Sequence, residues 1–293
     1  MQANITTEQL LPVFVYIQSH LTDDLSLEQV AGQADLSPFH FHRLFHNTVG
    51  ETVKQYTQRL RLEQAAYHLR IQDASILDIA LNAGFNNHET FSRAFKRWFG
   101  VSPRQYRQSF GRPSEDSRSA VRALLNRLAT DFQLSRVRVK KLNPIPVAFI
   151  RHLGSYLEVD LSLFDRLQNW ADREGHYTGE NLFMGVGHDA PNITPIEKVR
   201  FDLCLTVSEP FRADGEVGFQ TIGDGYFAAA SYIGPFGPTI EVAYFQMFQE
   251  MSQMKNIEII GLPAIEIYRT TNINPAFALN HTELLIPVRP LGN

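Results

Sequence analysis

A multidomain chain is encoded by these 293 residues: an all-α domain with a double helix-turn-helix, followed by an α+β domain built on a duplicated strand-helix-strand unit. Three features lead to that reading. Ser26 to Tyr56 is repeated at Ser75 to Tyr106, at an offset of 49 that rises to 50 after the turn. A second repeat, at an offset of 80, relates the residues around Gly154 to those around Gly234. Between the two lies "GRPSEDSRS", polar and rich in Ser, Gly and Pro, which is linker composition. The expected boundaries are 1–110 for the helical domain, 111–135 for the linker and 136–293 for the α+β domain.

With 44 % hydrophobic and 20 % charged residues, the chain has ordinary globular composition and enough length for two cores. Its single cysteine, Cys204, excludes an internal disulfide framework and a cysteine-based zinc site, which fits a reducing, cytoplasmic setting. The opening "MQANITTEQLLPVFVYIQSHL" has no basic leader, and Pro12, Tyr16 and Gln18 interrupt its apolar positions, so it reads as a short amphipathic helix. No run approaches the roughly 18 apolar residues that span a bilayer, so no membrane partner is expected. Charge is uneven: 11 Lys or Arg stand against 5 Asp or Glu from Ser37 to Arg112, and 16 against 21 from 113 to 293. The asymmetry suggests a basic binding face in the first half and a different task in the second.

In the first repeat each copy opens with a serine N-cap, Ser26 or Ser75, ahead of apolar residues at helical spacing: Leu27, Val30 and Ala31, or Ile76, Ile79 and Ala80. A turn follows at Asp35 or Gly84, then a second helix from about Pro38 or Asn87 that stops at Gly50 or Gly100. Between the copies, "ETVKQYTQRLRLEQAAYHLR" is one longer helix whose apolar surface comes largely from Val53, Tyr56, Leu60, Ala65, Tyr67 and Leu69. In the second helix of copy one, Phe41, Leu44 and Phe45 form the inward stripe, which turns His40, His42, Arg43 and His46 outward. Their counterparts Thr90, Ser92, Arg93 and Lys96 are donors suited to phosphates and base edges and are unlike metal ligands. Metal binding by His42 and His46, one turn apart, lacks an acidic or thiol partner nearby in sequence. Solvated helix-face residues and surface salt bridges at Arg43 and Arg93 are the plain alternatives.

Residues 10–110 resemble the DNA-binding domain of the AraC family, two helix-turn-helix units on a long connecting helix. "IALNAGFNNHETFSRAFKRWFGVSPRQYR" carries that family's signature at Ala80, Gly84, Phe85, Phe91, Ser92, Phe95, Lys96, Phe99, Gly100, Pro103 and Tyr106. The resemblance implies a monomer that reads two major-groove segments about 34 Å apart on one face of the duplex. The implied base-edge readers are Phe39, His40, His42 and Arg43 in the first unit and His88, Glu89, Ser92 and Arg93 in the second. Lys96 and Arg97, with His46 and Arg104, would hold phosphates.

The second half alternates strands and helices: "VRVKKL" and "PVAFIRHL", helical "VDLSLFDRLQNWADREG" with Leu163, Leu167 and Trp170 on one side, then "FDLCLTV", "YFAAASYIG", helical "IEVAYFQMFQEM", "AIEIYR" and "TELLIPV". "AVRALLNRLATDFQL", at 120–134, would add a connecting helix. The offset-80 repeat pairs Gly154 with Gly234, Tyr156 with Phe236, Phe164 with Tyr244 and Leu167 with Met247, and two facing halves would leave a cleft on their shared axis. In "LPAIEIYR", Ile265 and Ile267 take one face of a strand, and Glu266 and Tyr268 the other. Such a glutamate either faces water at an edge or sits in a pocket. Ringed by Tyr156, Trp170, Phe236 and Tyr268, it would trap a flat or greasy cation.

Residues from about 136 to 289 resemble GyrI-like effector-binding domains through "VAFIRHLGSY", "GVGHDAPNITPIEKVRFDLCLTV", "ASYIGPFG" and "LPAIEIYR" with "TELLIPV". The resemblance implies that Glu266 lies in the ligand cleft and meets lipophilic cations. His188 and Asn192 stand where that family often has aromatic or acidic residues, which implies a ligand less strictly cationic. The expected whole is a non-enzymatic transcriptional regulator without a cofactor, with double-stranded DNA, a small-molecule effector and RNA polymerase as candidate partners. Two other readings stay open. One is hydrolysis with Glu266 as general base and Tyr156 or Tyr268 as donor, although no nucleophile elbow, metal cluster or phosphate loop accompanies them. The other is a constitutive DNA-binding protein whose second domain is an oligomerisation or partner surface.

Overall fold

A computed structural model describes residues 2–111, 132–270 and 280–291 of the chain. The chain divides into two compact units, one of Met1–Arg112 with Phe211–Gly218 and the other of Pro113–Pro210 with Phe219–Asn293. Of the expected linker, 112–131 lie outside the described residues, as does most of the helix expected at 120–134; Gln133–Leu134, expected as the end of both, instead form a strand that pairs with Ile233 and Tyr232, so the sheet begins before the expected boundary at 136.

The first unit comprises α1 (Gln2–Ser19), α2 (Leu27–Gly32), α3 (Pro38–Val49), α4 (Val53–Ile71), α5 (Ile76–Asn82), α6 (His88–Phe99) and α7 (Pro103–Phe110). The boundaries follow from local chemistry. Ser26 accepts from Gln29 N while Gln29 returns a bond to the Ser26 amide, and Ser75 accepts from Asp78 N. Ser37 and Asn87 cap α3 and α6, and Gly50 and Gly100 end them in the left-handed conformation at φ 74° and 76°. The turn inside each unit also needs positive φ, taken by Asp35 at 53° in the first and Gly84 at 75° in the second. Asp tolerates that region better than a bulky or branched residue does.

The two copies bury the same aromatic set. Phe45 meets Tyr56 at 5.6 Å and 84°, and Phe95 meets Tyr106 at 5.3 Å and 80°. Phe41, Phe45, Phe91 and Phe95 are fully buried, each contributing about 1.5–3 kcal/mol. This repetition explains why the duplication is so visible in sequence: each core is filled by a few rings at fixed helical spacing.

The second unit holds a ten-stranded sheet among the described residues. Its strands are β1 (Gln133–Leu134), β2 (Arg138–Leu142), β3 (Ile145–Leu153), β4 (Phe183–Gly187), β5 (Arg200–Thr206), β6 (Gly218–Ile222), β7 (Gly225–Gly234), β8 (Ile257–Ile259), β9 (Ala264–Tyr268) and β10 (Asn280–Pro290). The order is β1-β7-β10-β9-β4-β5-β3-β6, with β2 also on β7 and β8 also on β10. Helix α8 (Ser162–Glu174) packs on β3 and β5, and α9 (Pro238–Met251) on β7. The order reads β7-β10-β9 from one side and β3-β5-β4 from the other, so the halves β3-α8-β4-β5 and β7-α9-β9-β10 are related by a pseudo-two-fold axis. The axis runs between β4 and β9, where Gly185 lies opposite Glu266. Leu163, Leu167 and Trp170 form the buried side of α8, as their spacing requires.

Candidate functional site

In the first unit the candidate surface is the outer faces of α3 and α6. Phe41 and Phe45 anchor α3, and Phe91 and Phe95 anchor α6, which sets the rotation of each helix about its axis. Phe39 is 80 % exposed, and His40, His42, Arg43 and His46 are exposed beside it. On α6, His88, Glu89, Thr90, Arg93, Lys96 and Arg97 are exposed, while Ser92 is half-buried with its hydroxyl 3.4 Å from His88 Nε2. Arg104, at the start of α7, is exposed as well. Arg43 and Arg93 form no ion pair or hydrogen bond among the described residues, so neither is engaged in a surface salt bridge there. Among the described residues no group of three or more His, Cys, Asp or Glu could hold a metal ion, His42 and His46 included.

The basic count from sequence shrinks on folding. Arg59 is buried between two acids, with Nε 3.1 Å from both Glu51 oxygens and Nη1 3.3 Å from Glu63. Arg61 is turned onto three backbone carbonyls, and Arg107 donates to Ala74 O at 2.6 Å. Arg43, Lys54, Arg93, Lys96, Arg97 and Arg104 remain exposed. A sequence alone does not separate these classes, because all share helix positions of similar polarity.

In the second unit the candidate site lies where the sheet halves meet, on the face toward the helices. Glu266 pairs across the sheet with Leu284, a core residue beneath α9. It is only partly exposed although deeply surrounded by protein, as expected of a cleft floor. Tyr268 Oη donates to Glu266 Oε2 at 2.9 Å, and Tyr244 Oη, from α9, donates to Oε1 at 3.3 Å. No cationic side chain pairs with Glu266 among the described residues. Burial pushes its carboxyl above the ordinary value of 4.5, and the two phenol hydrogen bonds partly oppose the rise. Burial and the neighbouring carboxylate raise both phenols, which keeps them protonated and donating.

Aromatic rings build the walls. Phe164 of α8 lies 5.7 Å from Tyr268 and 5.1 Å from Phe183, and Phe236 meets Tyr268 edge-on at 5.4 Å. Two glycines of β4 make room: a Cβ on Gly185 would fall 2.5 Å from Tyr268 Oη and 2.7 Å from Phe201 Cζ, and one on Gly187 would fall 3.4 Å from Tyr156 Oη. Tyr156 packs on Phe201 at 5.8 Å, but its hydroxyl is committed to backbone, donating to Asp189 O at 2.8 Å and accepting from Asp189 N at 3.0 Å.

Of the residues expected around Glu266, the structure brings Tyr268 to it and Phe236 onto Tyr268, and places Tyr156, in a 3-10 turn, against Phe201 of β5. Trp170 is elsewhere. It is 4 % exposed and stacks on His176 at 5.2 Å, six residues or about 9 Å along α8 from Phe164. Sequence reasoning passed over Tyr244, Phe164, Phe183 and the two glycines as site residues. The available signals were the repeat, which pairs Phe164 with Tyr244, and the alternating glycines of "FMGVG".

The opposite face of the sheet carries a buried ionic network. Asp202 is fully buried and accepts from Arg151 twice at 2.7 Å, from His188 Nε2 at 2.7 Å and from Gln220 at 2.8 Å. Burial opposes its charge, but these donors hold its carboxyl far below the usual range. Burial keeps the His188 imidazole below its ordinary value. His188 is therefore spent on Asp202, on the sheet face opposite Glu266, and Asn192 is exposed.

Among the described residues no helix is long and apolar enough to cross a membrane. Residues 30–109 match the helix-turn-helix domain family model, and residues 135–289 match that of the GyrI-like small molecule binding domain. The chain is 34 % identical to the transcriptional regulator Rob of Salmonella typhimurium over 185 residues, 62 % of this chain and 62 % of that protein. It is 38 % identical to the right origin-binding protein of Escherichia coli over 97 residues, 33 % of this chain and 34 % of that one. It is also 40 % identical to the HTH-type transcriptional regulator YbfP of Bacillus subtilis over 92 residues, 31 % of each. The matched segment thus spans less than two thirds of each of these relatives. With its helix-turn-helix pair on one unit and its Glu266 carboxylate among aromatic rings on the other, the chain belongs to the GyrI-like small-molecule-binding family and joins that domain to an AraC-type DNA-binding module.

Proposed function

We propose that this protein is a one-component transcriptional regulator that reads DNA through α3 and α6 and senses a lipophilic cation in the Glu266 cleft. What carries the reading is the presence, in one chain, of two like helices displaying guanidinium groups that have no partner among the described residues, and of a partly exposed carboxylate with aromatic walls and, among the described residues, no cation beside it. Arg43 and Arg93 are the readers of guanine edges, since a guanidinium can fork onto O6 and N7. Phe39, His40, His42, His88, Glu89 and Ser92 contribute further base contacts, and Lys96 and Arg97 hold phosphates and set register. In the cleft, Glu266 supplies ion pairing, and Tyr268, Tyr244, Phe164 and Phe236 offer ring faces and edges. RNA polymerase is the partner through which a DNA-bound regulator would act.

Regulation requires the ligand to favour one arrangement of the protein, because equal affinity for two states shifts neither. The names of the relatives favour regulation over turnover. The test is selection of duplexes from a random pool by the full chain, followed by gel-shift titration of Arg43→Ala and Arg93→Ala. Each should cost about 1–3 kcal/mol on the selected site and relax preference in its own segment. Unchanged affinity for both would remove α3 and α6 from the interface.

A further inference from the structure

A monomer that reads two DNA segments needs a fixed separation between its reading helices, and one connecting helix fixes only part of that relation. Arg61 lies in the middle of α4, and its guanidinium donates to three carbonyls outside its own helix. Nε reaches Leu21 O at 2.6 Å, Nη2 reaches Asp23 O at 2.6 Å, and Nη1 reaches Gly84 O at 3.1 Å. Leu21 and Asp23 belong to the connection between α1 and α2, the lead-in to the first helix-turn-helix unit. Gly84 is the turn of the second unit, so one side chain grips both.

Gly84 reports the same contact from the other side. A Cβ there would stand 3.1 Å from Arg61 Cζ, 3.1 Å from its Nε and 3.1 Å from Thr22 Cα. The turn of the second unit thus lies flush against the lead-in of the first, and glycine permits both the approach and the φ of 75°. The corresponding turn of the first unit uses Asp35, which lies at φ 53° and is exposed. Three diverging carbonyls suit a planar, five-donor fork, whereas a single ammonium cannot satisfy them in fixed directions.

We propose that Arg61 is the positioning residue that sets the spacing and mutual angle of α3 and α6, and hence which separation of two DNA segments the protein accepts. The inference rests on the DNA-reading function proposed above and goes beyond it. One inserted base pair moves a segment by about 3.4 Å and turns it by about 35°, which a clamped reader cannot follow and a loosened one can.

The test uses the full chain, the duplex selected by the wild type, and versions of that duplex with one base pair added or removed between the two contacted segments. The wild type should lose about tenfold or more with either change, the loss expected when one segment's base contacts fail. Arg61→Gln should bind the original duplex several-fold more weakly, lose about threefold or less with either change, and keep its base preferences within each segment. Arg61→Lys, which keeps the charge, should fall between them and carries the test if Arg61→Gln does not fold by circular dichroism. A folded variant with the wild-type spacing profile, weaker at every spacing by one factor, would overturn the proposal and leave Arg61 a merely stabilising residue. Selection of a single segment by the wild type would instead refute two-segment reading itself.

Discussion

Replacing Glu266 by Gln should weaken ligand binding and strengthen the fold at the same time. Among the described residues the carboxylate has two phenol donors and no cation beside it, and its pKa lies above the ordinary value because burial outweighs those hydrogen bonds. A ligand cation about 4 Å away would gain about 4 kcal/mol at an effective dielectric near 20, before the cost of its own desolvation. Taking roughly half to three quarters of that as net, the loss in Glu266→Gln is about 2–3 kcal/mol, or roughly 30- to 150-fold in Kd. Stability moves the other way. A carboxyl whose folded pKa is raised binds an extra proton in the folded state between its unfolded and folded values, so stability falls as pH rises through that window and stays lower at neutral pH. Gln, which has no proton to lose, should melt higher than the wild type at pH 7.5, by about 1.4 kcal/mol for each unit of the rise. The advantage should vanish below the ordinary carboxylate value. The assays are isothermal titration of the full chain with tetraphenylphosphonium and thermal melts of both proteins from pH 4 to 8. Wild-type affinity in Glu266→Gln would remove the carboxylate from the site, and a variant less stable at pH 7.5 would refute the account of an uncompensated charge.

Lys96→Ala should weaken binding to every duplex by a similar factor and reduce the slope of log affinity against log salt by about 0.9, which anisotropy titrations at several salt concentrations would measure; a change confined to one sequence would make Lys96 a base reader. Asp202→Asn should cost about 3–5 kcal/mol in urea unfolding, because Arg151 would keep its buried charge and lose its carboxylate. The Asp202 contribution is present above the unfolded carboxylate value and is lost as pH falls toward its depressed folded value, so wild type and variant should converge in acid. A loss under about 1 kcal/mol would mean that the network relaxes around the amide.

The helices α1 to α6 were legible in sequence to within a residue or two at each boundary, whereas α7 (Pro103–Phe110) was not. Ser26, Ser37, Ser75 and Asn87 cap the helices, and Gly50 and Gly100 stop α3 and α6, because caps act within one turn of chain. The outward display of Arg43 and Arg93 was legible for a similar reason: a stripe of Phe at helical spacing leaves one face for everything else. The pairing of Glu266 with Tyr268 on one strand face was readable from the two-residue period. Trp170 was readable as a buried residue of α8, but which end of that helix lies against Tyr268 was not, because that depends on how the helix packs on the sheet.

The sequence by itself thus determined where helices begin, end and turn, and which residues alternate on a strand, since those follow from neighbours a few positions away. Only the tertiary structure decided that Tyr244 reaches Glu266, that Gly185 clears space for Tyr268, and that Arg59 and Arg61 leave the basic surface while Arg43 stays on it. Apart from the Arg59 ion pairs, which lie within eight residues, those outcomes depend on sheet register and on contacts between residues 22 to 83 positions apart. The free energy of placing a charge or a ring there is set by the partners that packing supplies, which no local pattern records.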